Sequence, residues 1–120
     1  MERRTLLERL SWQLGEVVAI HQETVRARSI QLAVPNWKGH RPGQHVDIRL
    51  TAEDGYQVER SYSIASPPEE APRITLTIER IDEGEVSPYL TDELRIGDKL
   101  ELRGPNKLLQ FAIEHRAELD

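Results

Sequence analysis

Apolar and polar residues alternate along most of this chain, and this alternation is typical of β-strands with one buried face. The clearest example is RITLTIERI (residues 73–81), in which Ile74, Leu76 and Ile78 share one phase. Pro, Gly and Asn interrupt the pattern at short intervals, as turns between strands do. Strands are predicted in WQLGEVVAIHQ (12–22), VRARSIQLAV (25–34), HVDIRL (45–50), the segment around RSYSIAS (60–66), RITLTIERI (73–81) and KLELRG (99–104).

Two of the predicted turns have recognisable chemistry. Pro42 followed by Gly43 suits the central positions of a type II turn. Asp54 followed by Gly55 is a hairpin signal, so we expect the third and fourth strands to pair. In the second strand the apolar residues change phase, which predicts a bulge there.

One short helix is predicted at SPYLTDEL (residues 87–94). Ser87 suits the N-cap and Pro88 the first helical position, because proline has no N–H that would be left unpaired there. The free N–H groups of such a helix start form either a plain capped end or a site for an anion. Together, six strands and one helix predict an all-β fold, a small antiparallel barrel or sandwich.

Composition narrows the classes of protein that remain. The 120 residues suit one domain with a single core, and the absence of cysteine excludes disulfides and cysteine-bound metals from this chain. A formal net charge of -5 argues against nucleic acid as a partner. No apolar run is long enough to span a membrane, and MERRTLLERL (1–10) lacks the core of a secretory signal, so a cytoplasmic protein is expected.

Histidines and acidic pairs do not predict a catalytic or metal site. The four histidines lack the spacing of a zinc site, so solvated or hydrogen-bonded polar histidines are expected, with a structural role for His45 beside the Pro-Gly-Gln turn. Two acidic pairs lie in predicted loops, where a solvated charge cluster is the simpler interpretation. They are Glu53 with Asp54 and Glu69 with Glu70. The histidines are His21, His40, His45 and His115.

Residues 60–66, RSYSIAS, form the strongest candidate for a binding site. In a regular strand Arg60 and Tyr62 project together, and Ser61 and Ser63 project to the opposite face. An ordinary edge strand would look the same. However, a guanidinium suits phosphate, a phenol ring is flat and apolar, and residues 84–87 would add further donors. Together these groups imply a ligand with an aromatic system and a diphosphate.

These residues resemble the flavin-binding domain of the ferredoxin reductase family. RSYS matches its Arg-x-Tyr-Ser signature, and four further segments match in order and spacing. The matching segments are PGQH (42–45), RSYSIAS (60–66), TIER (77–80), GEVSPYL (84–90) and GDKLELRGP (97–105). The resemblance implies an all-β, six-stranded antiparallel Greek-key barrel with one short capping helix, and FAD as cofactor, with FMN as the alternative.

The resemblance also implies a role for individual residues. Arg60 would bind the flavin phosphates, Tyr62 would pack on the isoalloxazine ring, and Ser63 would hydrogen-bond near its N5. Because Tyr62 and Ser63 face opposite ways in a regular strand, the flavin would lie along the backbone edge, or the strand would twist there. The implied cofactor-binding residues are Arg60, Ser61, Tyr62, Ser63, Thr77, Ile78, Glu79, Gly84, Val86 and Ser87. No catalytic or metal-binding residue is predicted.

The resemblance ends after Pro105, where Lys107 stands in place of an expected glycine. Residues 106–120 predict an amphipathic helical tail instead, and no nucleotide-binding fingerprint follows. We therefore expect an N-terminal extension (1–11), a flavin-binding barrel (12–105) and a divergent tail (106–120). A domain for NAD(P)H and an electron-acceptor protein would be supplied elsewhere. The alternative is a flavin-free barrel that binds a partner protein.

Overall fold

The computed structural model describes residues 11–106. Most of the predicted N-terminal extension and most of the predicted tail lie outside these residues. Each predicted strand and the predicted helix are present. The elements are β1 (Gln13–Gln22), β2 (Ala27–Ala33), β3 (His45–Thr51), β4 (Gln57–Ser63), β5 (Arg73–Glu79), α1 (Ser87–Asp92) and β6 (Lys99–Asn106).

All strand pairs are antiparallel, and they form one six-stranded sheet in the order β4-β3-β6-β1-β2-β5. Placing β6 between β1 and β3 requires connections between strands that are not sequence neighbours, as in a Greek key. The sheet curls until its two edge strands meet at one isolated bridge, Ile64 with Leu76. The predicted fold class is therefore confirmed, although the barrel is left partly open between β4 and β5.

The core fills the inside of this curl. Alternate residues of β2 and β5 are buried, so Ile30, Leu32, Ile74, Leu76 and Ile78 lie in one cluster, as the period-2 pattern predicted. Helix α1 adds Leu90 to the same cluster and closes one end of the curl.

Both recognised turns are confirmed. Gly43 has φ +87, and the N–H of Gln44 donates to the carbonyl of Arg41, which encloses Pro42 and Gly43 in one turn. Positive φ at the second central position is the requirement of a type II turn, and glycine meets it without strain. Gly55 has φ +92 in the turn that joins β3 to β4.

Two local predictions were wrong. The bulge lies in β1, between Val17 and Ala19, while β2 pairs without interruption with β5. The phase change at the start of the second strand arises because Val25 belongs to the exposed turn before β2. In addition, Val86 occupies the N-cap of α1 and Ser87 is its first residue.

Candidate functional site

The candidate site lies where the barrel is open, between the two edge strands. Past the Ile64–Leu76 bridge, no further strand pairing joins β4 to β5 within residues 11–106. We call the gap between residues 60–63 of β4 and residues 77–79 of β5 the seam. These two stretches contain seven of the ten predicted cofactor-binding residues, so the fold brings them together across one opening.

Backbone groups of both strands point into the seam. The N–H of Ile64 donates to Gln44 beside β3, whereas that of the next residue, Ala65, donates to Thr75 of β5 at 2.7 Å. Because backbone groups alternate sides along an antiparallel strand, Ser61 and Ser63 direct theirs toward β5. By the same alternation, Thr77 and Glu79 direct theirs toward β4. Unpaired strand edges are ready hydrogen-bond partners for a planar ligand.

Arg60 lies at the free edge of β4. Its side chain is exposed, and its guanidinium donates to the backbone carbonyl of Glu59 at 2.6 Å. Among the described residues no carboxylate forms an ion pair with Arg60, whereas Arg49 and Arg103 both pair with carboxylates. The guanidinium therefore keeps donors available for an anion.

Tyr62 is half-buried and packs against the core on the same face as Arg60. Burial raises the pKa of its phenol above 10, and the Arg60 guanidinium opposes part of that rise. The pair thus places a flat ring beside a cation, as the alternation of RSYS predicted. Ser61 projects to the outer face instead, where its hydroxyl donates to Asp47 at 2.6 Å.

The β5 residues differ in what they can offer a ligand. The hydroxyl of Thr77 hydrogen-bonds Ser29 on the outer face, at 3.1 Å. Ile78 is fully buried, and its backbone pairs with Arg28 of β2, so it lies behind the seam. Thr77 and Glu79 therefore reach the seam through their backbone groups.

Residues 84–87 follow β5 at the far end of the seam. The side chain of Val86 belongs to the core. The hydroxyl of Ser87 accepts a hydrogen bond from the N–H of Ile81 at 2.9 Å, and this bond folds the loop onto itself. A methyl group on Gly84 would lie 3.1 Å from the Ile81 carbonyl and 3.2 Å from the Ser87 hydroxyl, so the tight loop favours glycine.

A side-chain contact joins the two segments that continue the edge strands beyond the seam. The hydroxyl of Tyr56, just before β4, donates to Glu85 at 2.8 Å. This hydrogen bond and the charge of Glu85 raise the pKa of Tyr56, while Arg60 acts in the opposite direction. The seam is therefore bounded by a backbone bridge at one end and by the Tyr56–Glu85 contact at the other.

His40 stabilises the end of the seam at which the Ile64–Leu76 bridge lies. Its Nδ1 accepts from Trp37 at 3.2 Å, which makes Nε2 the donor to the carbonyl of Ser66, at 2.9 Å. The hydroxyl of Ser66 in turn accepts from the N–H of Thr75, at 2.9 Å. His40 and Trp37 thus have a structural role.

A polar network covers the outer face behind the seam. Asp47 accepts from Ser61 of β4 and, at 2.9 Å, from Arg103 of β6. The guanidinium groups of Arg103 and Arg49 lie 4.5 and 4.1 Å from the ring centre of Trp12. Sequence reasoning missed this network and the Tyr56–Glu85 contact, because each joins residues that are adjacent only in the folded sheet.

Neither a metal cluster nor a membrane helix is found in the described part of the chain. No three histidine or acidic side chains of residues 11–106 approach one another closely enough to hold a metal ion. The same residues contain no helix with the length and hydropathy needed to cross a bilayer.

Comparison with known proteins finds related sequences along most of this chain. A family model described as the oxidoreductase FAD-binding domain matches residues 12–111. The ferredoxin reductase component of 3-ketosteroid-9-alpha-monooxygenase from Rhodococcus rhodochrous is 36% identical over 74% of this chain and 26% of its own length. The glycine betaine monooxygenase reductase subunit of Pseudomonas aeruginosa is 42% identical over 77% of this chain and 25% of its own length. This chain thus spans about a quarter of each relative.

Solved structures share the fold. The ferredoxin reductase in carbazole 1,9a-dioxygenase is 32% identical, with a TM-score of 0.70, over 79% of this chain and 29% of that one. The flavohem-like FAD/NAD binding domain of nitric oxide dioxygenase from Vibrio cholerae has the same TM-score at 23% identity, over 78% of this chain and 43% of that one, which indicates a shared fold alone.

Proposed function

This chain belongs to the oxidoreductase FAD-binding domain family, and on that premise we propose that FAD binds in its seam. The observation that carries the proposal is the end of β4–β5 pairing at Ile64 and Leu76. Past that bridge, the edges of residues 60–63 and 77–79 face one another across an opening.

The groups at the seam fit the chemistry of FAD. Arg60 supplies a guanidinium that pairs with no carboxylate in the described region, and guanidinium groups suit phosphate oxygens. Tyr62 supplies a half-buried ring against which the isoalloxazine packs. The backbone edges at Ser61, Ser63 and Glu79 supply donors and acceptors for the polar rim of the flavin.

The diphosphate would lie toward the far end of the seam, near Gly84 and Ser87. The side chain of Val86 is in the core, so it would take part only through its backbone. Ile78 would contribute indirectly, because its pairing with Arg28 keeps β5 in register with β2. The role of the predicted set is thus mainly to bind and orient the cofactor through strand edges.

Electron transfer is the reaction we propose for the full assembly. Bound FAD supplies the redox chemistry, and the protein supplies position, electrostatics and exclusion of water. Because relatives are reductase components of oxygenases, we propose that the electrons come from NAD(P)H bound in a separate domain. A ferredoxin or oxygenase component is the proposed class of acceptor.

Titration of the purified chain with FAD, FMN and riboflavin tests the proposal. We expect saturable binding with a shifted flavin absorption spectrum and altered fluorescence. FAD should bind more tightly than riboflavin, because riboflavin carries no phosphate for Arg60 to contact. If the folded chain binds none of these flavins, the proposal is wrong and the flavin-free interaction barrel becomes the better interpretation.

A further inference from the structure

The Tyr56–Glu85 contact places a negative charge where the proposed function puts a diphosphate. Glu85 is exposed and lies between Gly84 and Val86, in the loop nearest the expected phosphates. Two anions repel each other, and both would be attracted to the nearest cation. A carboxylate here therefore works against phosphate binding unless its position is controlled.

A candidate cation is Arg60, four positions after Tyr56 in the chain. The charge of Arg60 opposes the rise in the pKa of the Tyr56 hydroxyl, and Tyr56 itself contacts Glu85. Even so, the structure contains no ion pair between Arg60 and Glu85. The guanidinium donates to the Glu59 carbonyl, and the Glu85 carboxylate accepts from Tyr56 at 2.8 Å.

Among the described residues, two other arginines of the sheet pair with carboxylates, whereas Arg28 and Arg73 bond a backbone carbonyl and a glutamine amide. Arg49 contacts Glu101 and Arg103 contacts Asp47, in each case across neighbouring strands. A side chain as long as that of arginine can reach a carboxylate that is not otherwise held. Among the described residues, the Glu85 carboxylate is held by the hydrogen bond from Tyr56 and forms no ion pair with Arg60.

From this arrangement, which rests on the proposed function, we propose that Tyr56 is a positioning residue for the FAD phosphates. Its hydroxyl holds the Glu85 carboxylate toward the β3–β4 turn. Arg60 then remains available to phosphate. Without the hydroxyl, Glu85 turns to Arg60 and competes with the ligand.

Three variants test the proposal: Tyr56→Phe, Glu85→Gln and the double variant. Tyr56→Phe keeps the ring and removes the hydroxyl, and we expect it to weaken FAD binding about fivefold, the scale of one exposed ion pair. Glu85→Gln should bind FAD at least as tightly as the unaltered chain. The double variant should bind FAD as tightly as Glu85→Gln, because both lack the negative charge that Tyr56 would keep away from Arg60.

Two controls separate positioning from general effects. Riboflavin carries no phosphate, so its affinity should be the same in all variants. Tyr89→Phe removes the hydroxyl of a half-buried tyrosine of α1 and should leave FAD affinity unchanged. A double variant as weak as Tyr56→Phe alone, or an equal loss of riboflavin affinity, would show that Tyr56 acts through its ring or through folding.

A second measurement needs no flavin. The exchange rate of the Arg60 Nε–H, followed by NMR in the free protein, should fall in Tyr56→Phe and return to its original value in the double variant. Equal rates in all variants would overturn the proposal. If the unaltered chain binds no flavin, the proposed function fails, and these rates still decide whether Tyr56 holds Glu85 away from Arg60.

Discussion

The hydroxyl of Ser61 donates a 2.6 Å hydrogen bond to Oδ1 of Asp47, from edge strand β4 to its neighbour β3. The other carboxylate oxygen accepts from Arg103 of β6, at 2.9 Å. One buried carboxylate therefore joins three adjacent strands on the face behind the seam. Its position fixes the strand that carries Arg60 and Tyr62 without touching the seam itself.

Replacing Asp47 with asparagine should destabilise the fold. The change removes the charge that strengthens both hydrogen bonds, and we expect a loss of about 1.5 to 3 kcal/mol in the free energy of unfolding. Urea unfolding measures the loss. Glu53→Gln removes an acidic charge from an exposed loop and serves as the control. Equal effects of the two changes would contradict the structural role of Asp47.

Arg60→Ala should weaken the binding of FAD. Loss of a charged hydrogen bond to phosphate corresponds to about 1.5 to 3 kcal/mol of binding free energy. Fluorescence titration measures the affinity, and riboflavin should be affected far less. Arg95→Ala removes an exposed arginine from a turn away from the seam, and it should bind FAD normally. Unchanged FAD affinity in Arg60→Ala would rule out the phosphate contact.

Tyr62→Ala should reduce FAD affinity and alter the fluorescence of bound flavin, whereas Tyr62→Phe should preserve both, because only the ring packs against the cofactor. The alanine variant should also lose roughly 1 to 2 kcal/mol of unfolding free energy, because part of the ring packs on the core. Ile20→Ala, a similar truncation on β1, controls for destabilisation alone. If Ile20→Ala changes flavin fluorescence equally, ring packing is not the cause.

Stability should fall as the pH drops below 6.5. Burial lowers the pKa of His45 from its ordinary value of 6.5, and Asp47 only partly opposes this shift. Between the two pKa values the unfolded chain binds more protons than the folded one, so acid favours unfolding in that window. The stability that His45 contributes is fully present above pH 6.5, and it is lost as the pH falls through the pKa of the folded state. Urea unfolding at several pH values should show a shallower pH dependence in His45→Gln than in His21→Gln.

The strands could be predicted because their information is local. Ile74, Leu76 and Ile78 are buried as their alternation indicated, and Gly43 and Gly55 form the expected turns. The bulge was misplaced because a phase change in the sequence does not distinguish an extra residue in one strand from a strand that begins later. Here Val25 simply precedes β2.

The site was harder to predict because its geometry depends on which strands lie at the edges. In a regular strand the side chains of Tyr62 and Ser63 project to opposite faces, whereas the resemblance implied that both residues contact one ligand. The open seam explains how this is possible, since the side chain of Tyr62 and the backbone of Ser63 border the same gap. Tyr56 and Glu85 are 29 positions apart, and no sequence period links them.

The partial closure of the barrel also affects the tendency of this domain to associate with other copies of itself. An unpaired strand edge is a template on which another chain can add a strand. A ligand held between β4 and β5 covers both edges at once, and binding to the native state also makes unfolding less favourable. If FAD binds in the seam, its loss would leave both edges unpaired and would favour self-association of this domain.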